Sequence, residues 1–438
     1  MMKTRKWLTG AFIAVLAFTA APAVTVWAED GVPVDKANFP DKIFRGWVSE
    51  NCDSDKNGSL SEAEIGAVIE IDVTEKGIDD LKGIEYFTAL ETLDCVGNKL
   101  KSLNVSRNTA LKVLACGRNR LTELDVSNNT ALTYIYCGEN RLKELDLSNN
   151  TALTDILCGE NLFASLDLSK NTALINLECP ENLLTSLDLS GNTALEDIEC
   201  PSNQLTSLDL SKNSALKKIG CSNNQLTGLD FSNNTAMERI ICFGNRLESL
   251  NVSGNTALKW LSCSDNRLTE LDVSTNTALD DLSCGGNLLT SLDVSKNTAL
   301  TKLECVFNRL TELDVSNNPE LVNLSAWYNG LTQIDVSGIR DLDGLEYGGE
   351  ARKVTLDKDN KLLLYGADKT VKVGKKGSVN AKKKIGKVQT SDASVASVTK
   401  KGKKVVIKGE SEGFAIVEAY NKKGKLLGRW IVRVEQGS

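Results

Sequence analysis

The feature that most constrains this chain is a cysteine that returns every 21 residues. Ala326 continues the series at the position after its last cysteine. A fixed period of this length suits a chain in which each repeat packs only on its two neighbours, so the spacing predicts a solenoid. The cysteines in the series are Cys95, Cys116, Cys137, Cys158, Cys179, Cys200, Cys221, Cys242, Cys263, Cys284 and Cys305.

The segments around these cysteines align without gaps from Leu90 to about Gly338, as twelve units that read T-A-L-x-x-L-x-C-x-x-N-x-L-x-x-L-D-[VL]-S-x-N. The alternating Leu, Ile and Cys are typical of a short strand with one buried face. One asparagine column runs from Asn98 to Asn329 and a second from Asn108 to Asn318. Both can satisfy backbone groups in turns. We therefore expect a mainly β fold, with parallel strands on one side and short extended or turn structure on the other.

The segment L-x-x-L-x-C-x-x-N-x-L, as in residues 132–142, resembles the leucine-rich repeat of secreted and surface proteins of bacteria, in the broad company of internalins. The lead-in at residues 81–87 resembles the first, capping coil of such proteins. The resemblance implies a right-handed solenoid of 21-residue coils over residues 76–345. It is highly specific for the fold and unspecific for the ligand.

The first 28 residues resemble a signal peptide. Lys3, Arg5 and Lys6 precede the apolar stretch from Trp7 to Ala21, and Ala28 ends a plausible cleavage site. The alternative is an N-terminal membrane anchor, which the short apolar run disfavours. We expect an exported, soluble, monomeric protein without a transmembrane anchor, either secreted or loosely associated with the cell wall.

The cysteines of an exported protein suggest disulfides. Equivalent side chains on adjacent coils are parallel, however, and bridging them would strain the required dihedral angle. Their number in the series is also odd. Cys behaves well as a small buried apolar residue, so we expect buried free thiols, with disulfides or a metal site as the alternative. Cys52 lies outside the series and has no obvious partner.

Residues 53–64 match the calcium-loop pattern D-x-[DN]-x-[DN]-G-x5-E without a mismatch. The loop resembles an EF-hand, or one half of a dockerin. Apolar residues predict an entering helix at Ile43, Phe44, Trp47 and Val48 and an exiting helix at Ile65, Val68 and Ile69. We expect a structural Ca²⁺ within a helical cap over residues 29–75. The alternative is an Asx-rich turn without metal. The ligands that the pattern implies are Asp53, Asp55, Asn57, Ser59, Ser61 and Glu64.

The second half of each unit barely varies, whereas the outward positions of the first half vary strongly. A surface that differs among near-identical repeats can carry ligand specificity. The alternative is drift on a solvated face. Asp155, Glu178, Asp197 and Glu199 make the middle of this surface acidic. The candidate ligand-binding residues are Tyr134, Tyr136, Leu157, Arg239, Ile241, Phe243 and Trp260.

An aspartate column, from Asp125 to Asp335, lies in the constant half of the units. Its carboxylates repel one another unless they accept hydrogen bonds or bind cations. We expect them to accept hydrogen bonds from nearby backbone N–H groups and from Ser or Thr, with an extended cation-binding strip as the alternative.

The period breaks after Gly338. Residues 346–367 suggest a linker or a closing hairpin around 357–360, and residues 368–438 show short alternating strands between Gly and Lys turns. The later segment resembles the bacterial Ig-like group 2 domain, which implies a β-sandwich that serves as a spacer or contact surface. The Trp common before its S-x-x-S-V-A motif is missing here.

Charge divides the chain. Residues 351–438 contain 22 Lys and Arg against 8 Asp and Glu, a net charge of +14, although the whole chain carries −7. The basic segment could hold the protein to an anionic cell-wall polymer. The alternative is a solvated basic surface. Nucleic acid is not expected, because aromatic residues are sparse.

The chain contains no histidine, which excludes imidazole metal ligands and histidine-dependent triads. Its carboxylates sit in repeated positions, and none is singled out as an acid/base pair. We therefore expect no enzyme. The favoured function is binding or adhesion to a protein or glycan through the variable face of the solenoid. The alternative is a passive structural component of the envelope, retained by its basic C-terminal domain.

Overall fold

A computed structural model describes residues 31–331, 333–335, 344–346, 353–355, 364–365, 367–381, 384–390, 393–394, 396–411, 413–423 and 425–435. The proposed signal peptide lies outside these ranges. Among the helices of these ranges, we find none with the length and hydropathy of a membrane span.

Fifteen short strands form one continuous parallel sheet, which we call the long sheet. Each coil contributes one strand, and each strand pairs in register with the equivalent residues of the next coil. The predicted parallel solenoid is therefore observed. The strands are Glu70–Asp72, Thr92–Asp94, Val113–Ala115, Tyr134–Tyr136, Asp155–Leu157, Asn176–Glu178, Asp197–Glu199, Lys218–Gly220, Arg239–Ile241, Trp260–Ser262, Asp281–Ser283, Lys302–Glu304, Asn323–Ser325, Gly344–Glu346 and Leu364–Tyr365.

Side-chain alternation explains the two faces of the long sheet. The central residue of a strand, such as Ile135 or Leu261, is completely buried, and the cysteine two positions later is buried beside it. The residues on either side of the central one point outward, as strand geometry requires. The outward positions are not all accessible, because Ala115, Gly220 and Ser283 are buried.

All twelve cysteines are free and buried, so the prediction of buried thiols is confirmed. Burial raises the pKa of every thiol in the column; for Cys305 it reaches about 12. The thiolate is the reactive form of cysteine, so these residues act as apolar packing groups. Cys52 is also buried, and its pKa rises to about 11.

The two asparagine columns tie each coil to its neighbours. In the first column, the Asn140 amide donates to the carbonyls of Cys116 and Cys137 at 3.1 and 3.0 Å and accepts from the N–H of Leu121. In the second column, the Asn192 amide donates to Leu168 and Asn171 at 3.0 and 2.8 Å. Both columns satisfy buried backbone groups, as the repeat predicts.

The side of the solenoid formed by the second half-turns, which we call the back, is mostly irregular. The Asp188 carboxylate accepts a hydrogen bond from the N–H of Ser190 at 2.9 Å, which lowers the pKa of Asp188. The column aspartates from Asp125 to Asp314 repeat this turn, so the expectation of local hydrogen bonding is confirmed for them. Short parallel strands occur on this side at Gly228–Asp230, Ser249–Asn251, Glu312–Asp314, Gln333–Asp335 and Lys353–Thr355.

The N-terminal segment covers the first coil. A strand at Val32–Pro33 pairs antiparallel with Ser59–Leu60, and two helices span Lys42–Asn51 and Glu62–Ala67. A 3₁₀-helix follows at Ile84–Tyr86. The ring of Phe39 packs 5.7 Å from that of Tyr86, between centroids. The buried side chains of this segment belong to the same apolar core as those of the coils.

Two predicted boundaries differ from the structure. The exiting helix ends at Ala67, so Val68 and Ile69 lie outside it, and Glu70–Asp72 is already the edge strand of the long sheet. Hydrogen bonding to Thr92–Asp94 keeps Glu70–Asp72 extended, although the apolar spacing just before it predicts a helix. The solenoid thus begins within the segment assigned to the cap.

The hairpin expected within 346–367 also differs from the described strands. Lys353–Thr355 and Leu364–Tyr365 pair in parallel with Gln333–Asp335 and Gly344–Glu346. A hairpin requires antiparallel pairing, whereas these strands continue the two ladders of the solenoid. The predicted turn at 357–360 lies outside the described residues.

The C-terminal segment forms two further sheets around a second apolar core. Val371, Val405 and Val417 are buried members of that core. The four-stranded sheet contains, in spatial order, Ala367–Lys372, Leu426–Glu435, Gly413–Tyr420 and Lys387–Thr390, and the three-stranded sheet contains Lys376–Asn380, Lys404–Gly409 and Ala396–Lys401.

Candidate ligand-binding surfaces and calcium loop

Tyr134, Tyr136 and Leu157 lie on the outer side of two neighbouring strands, with Tyr136 directly beside Leu157. The Tyr136 ring lies over Gly117, where a Cβ atom would come within 2.3 Å of it. Its hydroxyl donates to the Glu139 carboxylate at 3.2 Å. The glycine thus makes room for a half-buried ring, and the sequence-predicted cluster forms a partly apolar patch.

The acidic middle of the face contains a carboxyl group with an unusual pKa. Burial raises the pKa of Glu199 to about 7, and the neighbouring Asp197 adds to the effect, while Arg239 opposes it. The Glu199 carboxylate lies against Gly220, where a Cβ atom would collide with it. Lys218 pairs with Asp197 at 3.3 Å. This part of the face therefore changes its charge near neutral pH.

Arg239 and Trp260 occupy equivalent positions on adjacent strands. The guanidinium carbon of Arg239 lies 5.0 Å from the centroid of the Trp260 ring, a cation–π geometry. Trp260 remains 42% exposed and Phe243, in the following turn, 38% exposed. Ile241 is half-buried on the same strand as Arg239. Arg and Trp are frequent anchors of protein recognition.

Sequence reasoning missed a second aromatic cluster, formed by Phe307, Trp327 and Tyr328. The Phe307 and Tyr328 rings stack with centroids 4.3 Å apart, and Trp327 packs against both. Phe307 and Tyr328 are 50% and 41% exposed, and both have positive φ angles, of 52° and 54°. Bulky residues rarely adopt this conformation. Asn223 and Asp265 hold the same place in other coils, so two aromatic residues in this polar column were the available signal.

The predicted calcium loop lies between the two N-terminal helices. Carboxylate oxygens of Asp53, Asp55 and Glu64 lie within 4.8 Å of one another. Calcium binds oxygens at about 2.3–2.6 Å, so one ion can reach all three. Gly58 has a φ of 84°, and its N–H donates to the Asp53 carboxylate at 3.0 Å. These residues fit the coordination that the motif implies.

Ser61 and Glu64 also form a capping box at the start of the second helix. The Ser61 hydroxyl accepts from the Glu64 N–H, while the Glu64 carboxylate accepts from the Ser61 N–H. Hydrogen bonds from Ser54 and Ser61 lower the pKa of Glu64 to about 2. Asn57 accepts from the Ser59 N–H at 2.8 Å. The loop therefore has an ordered, hydrogen-bonded geometry, and the side-chain oxygens of Asn57 and Glu64 that accept these hydrogen bonds are also the ones that a cation would contact.

Three solved structures that this chain resembles are those of leucine-rich-repeat proteins. The functional domain of InlJ from Listeria monocytogenes, which includes a cysteine ladder, is 28% identical to this chain. The aligned region covers 93% of this chain and 100% of the InlJ domain, with a TM-score of 0.68. InlF, an internalin from Listeria monocytogenes, is 21% identical over 73% of this chain and 99% of its own, with a TM-score of 0.64. YopM from Yersinia enterocolitica is 24% identical over 68% and 70%, with a TM-score of 0.54.

The sequence matches no protein-family model and no curated protein. The structural likeness nevertheless establishes the leucine-rich-repeat solenoid, because the InlJ domain is covered over its whole length. The cysteine ladder of that domain parallels the buried cysteine column here. None of the three names is that of an enzyme. The EF-hand character of the cap and the Ig-like character of the last segment stay predictions.

Proposed function

We propose that this protein is an exported binding or adhesion protein that recognises a protein or a glycan through the outer face of the long sheet. The observation that carries the proposal is the Arg239–Trp260 pair with Phe243, an exposed aromatic and cationic cluster on an otherwise repetitive scaffold. Exposed aromatic groups on a rigid element lose little entropy on binding. The similarity to internalin structures supports the same class of function.

Binding of the full chain to a panel of cell-surface proteins and to a glycan array tests the proposal. The triple variant Y134A/Y136A/W260A should lose at least about tenfold in affinity for any partner that the unchanged chain binds, since anchor residues contribute more than about 1 kcal/mol each. Unchanged affinity for every such partner would exclude these residues as the binding surface, and the absence of any partner for the unchanged chain would favour a passive structural role.

The back of the solenoid offers a matched control. Lys170, Lys212 and Lys296 are exposed there in the same repeated place. The variant K170A/K212A/K296A also shortens three exposed side chains, but it leaves the face intact. Binding should survive this change.

The second aromatic cluster is a further part of the proposed surface. Asn occupies the position of Phe307 and Tyr328 in another coil, so F307N/Y328N fits the backbone better than the aromatic residues do. The variant should retain or increase its resistance to urea and should bind the protein or glycan partner more weakly. Weaker folding with intact binding would assign these rings to packing alone.

We also propose that Ca²⁺ stabilises the N-terminal cap, held by Asp53, Asp55, Asn57, Glu64 and the Ser59 carbonyl, with Ser61 acting through water. The supporting observations are the converging carboxylates and the positive φ of Gly58. The proposed role is structural, because the loop adjoins the helix whose Phe44 and Val48 join the core of the coils.

Thermal unfolding in Ca²⁺ and in EDTA tests the calcium site. The melting temperature should be higher with Ca²⁺, because an ion that binds only the folded chain stabilises it by mass action. The variant D55N/E64Q should abolish the difference, whereas E62Q, on the same helix, should preserve it. Equal melting temperatures with and without Ca²⁺ in the unchanged chain would show that the loop is an Asx-rich turn.

A further inference from the structure

The three-stranded sheet of the C-terminal segment has an outer face formed almost entirely by lysines and small polar residues. Strand register places Lys376 beside Lys408, and Lys404 beside Lys401. The alternate residues Val379, Val405 and Ile407 point inward and are buried. We call this surface the lysine face; its members are Lys376, Ser378, Asn380, Ser397, Thr399, Lys401, Lys404, Val406 and Lys408.

Each of the two lysine pairs brings two positive charges together on neighbouring strands. Like charges directly opposite each other on neighbouring strands destabilise a sheet. Lys408 is partly compensated, because Glu410 lies 2.7 Å away. Within the described part of the chain, Lys376, Lys401 and Lys404 form no salt bridge, and all three side chains are exposed. The face therefore presents a concentrated positive charge that an external anion would compensate.

The chemistry of the face favours phosphate over other anions. Its cations are all lysines, which contact phosphate as point charges, whereas arginine is preferred for the planar, bidentate recognition of carboxylates. The hydroxyl groups of Ser378 and Thr399, which lie in the middle row, are hydrogen-bond donors for phosphate oxygens. None of the nine residues is aromatic, so the face offers no platform on which a nucleic-acid base could stack.

We propose that the lysine face binds a flexible, phosphate-bearing anionic polymer other than a nucleic acid. This activity is separate from ligand recognition by the solenoid, and either can fail without the other. Three rows of the sheet, each with hydrogen-bond donors or cations, allow successive phosphate groups to engage at once. Affinity then comes from neutralising several charges and releasing their counterions.

Inorganic polyphosphate is a suitable probe for the full chain, measured by titration at several salt concentrations. The variant K376Q/K401Q/K404Q should bind at least about tenfold more weakly. The slope of log K against log salt, which is negative, should become smaller in magnitude by about two. Its melting temperature in the absence of ligand should stay the same or rise, because the like-charge pairs are removed.

Lys422, Lys423 and Lys425 provide a control of equal charge, since they are exposed near the turn before the final strand of the other sheet. The variant K422Q/K423Q/K425Q should retain polyphosphate affinity within about threefold. An equal loss in both triple variants would show that only net charge matters and would overturn the assignment to this face.

Two further arms separate the possible anions and surfaces. Poly-L-glutamate of matched charge should bind the unchanged chain more weakly than polyphosphate, and tighter binding would overturn the preference for phosphate. The variant Y134A/Y136A/W260A should bind polyphosphate as the unchanged chain does. A loss there would place the polymer on the solenoid instead.

Discussion

The back and the outer face of the solenoid are built by the same coils, yet the residues on the back repeat from coil to coil, whereas those on the face vary. On the back, Asp188 and Asn192 repeat in nearly every coil because each satisfies a particular backbone group. On the face, Tyr134, Glu199 and Trp260 occupy equivalent strands without any shared backbone role. Repetition therefore marks residues that hold the coil together, and variation marks residues that the scaffold does not need.

The largest test of this contrast compares two asparagines. Replacing Asn192 with Ala removes two buried hydrogen bonds, to the carbonyls of Leu168 and Asn171, and leaves each carbonyl with a single backbone donor. The loss should lower the free energy of unfolding by about 1–3 kcal/mol. Replacing Asn176, on the face, should cost less than about 1 kcal/mol. Urea unfolding measures both. Similar losses at the two sites would erase the distinction between scaffold and surface.

A smaller effect is expected from Glu199. Its pKa is raised from 4.5 to about 7 by burial, so the folded chain holds a proton that the unfolded chain releases. The stabilisation that protonated Glu199 allows is complete below about pH 4.5 and is lost as pH rises to about 7. We expect this carboxyl group to lower stability by about 1 kcal/mol over that window, after allowing for solvent screening.

The variant E199Q removes this titration, so its unfolding free energy should fall less between pH 5 and pH 8 than that of the unchanged chain. Parallel stability curves for the two proteins would contradict the assignment of the raised pKa to Glu199. The face would then lack the pH-dependent charge in its acidic middle.

Trp260 should matter still less for folding. Its exposed cation–π contact with Arg239 contributes about 0.5–1 kcal/mol, so W260A should change the urea midpoint only slightly. The adjacent Leu261 points into the core, and L261A should cost about 2–5 kcal/mol. A large destabilisation by W260A would make Trp260 a packing residue rather than a surface anchor.

The smallest effect is predicted on the back. Asn104 and Asn251 already hold the place of the column aspartates, and each accepts the same hydrogen bond, from the N–H of a serine two residues later. D188N should therefore leave the urea midpoint unchanged at neutral pH. D188A should lower it, because alanine has no acceptor for the Ser190 N–H. A clear loss with D188N would mean that the negative charge, and not the turn, is required.

The sequence alone determined the coil length, the parallel strands, the buried cysteines and the local role of the aspartates. A period of 21 residues acts on every coil equally, so near-neighbour physics suffices to interpret it. The sequence also located the calcium-loop pattern and the outward position of Tyr136 and Trp260. Each of these features follows from a pattern that is local in the sequence or that returns at a fixed period.

Only the tertiary structure decided features that join separate coils or strands. The exiting helix ends at Ala67 because Glu70–Asp72 is captured by the next strand, a contact with a partner more than twenty residues away. The raised pKa of Glu199 requires Gly220 one coil later, and the Phe307–Tyr328 stack likewise joins two coils. The lysine face depends on strand register, which composition and charge counts do not contain.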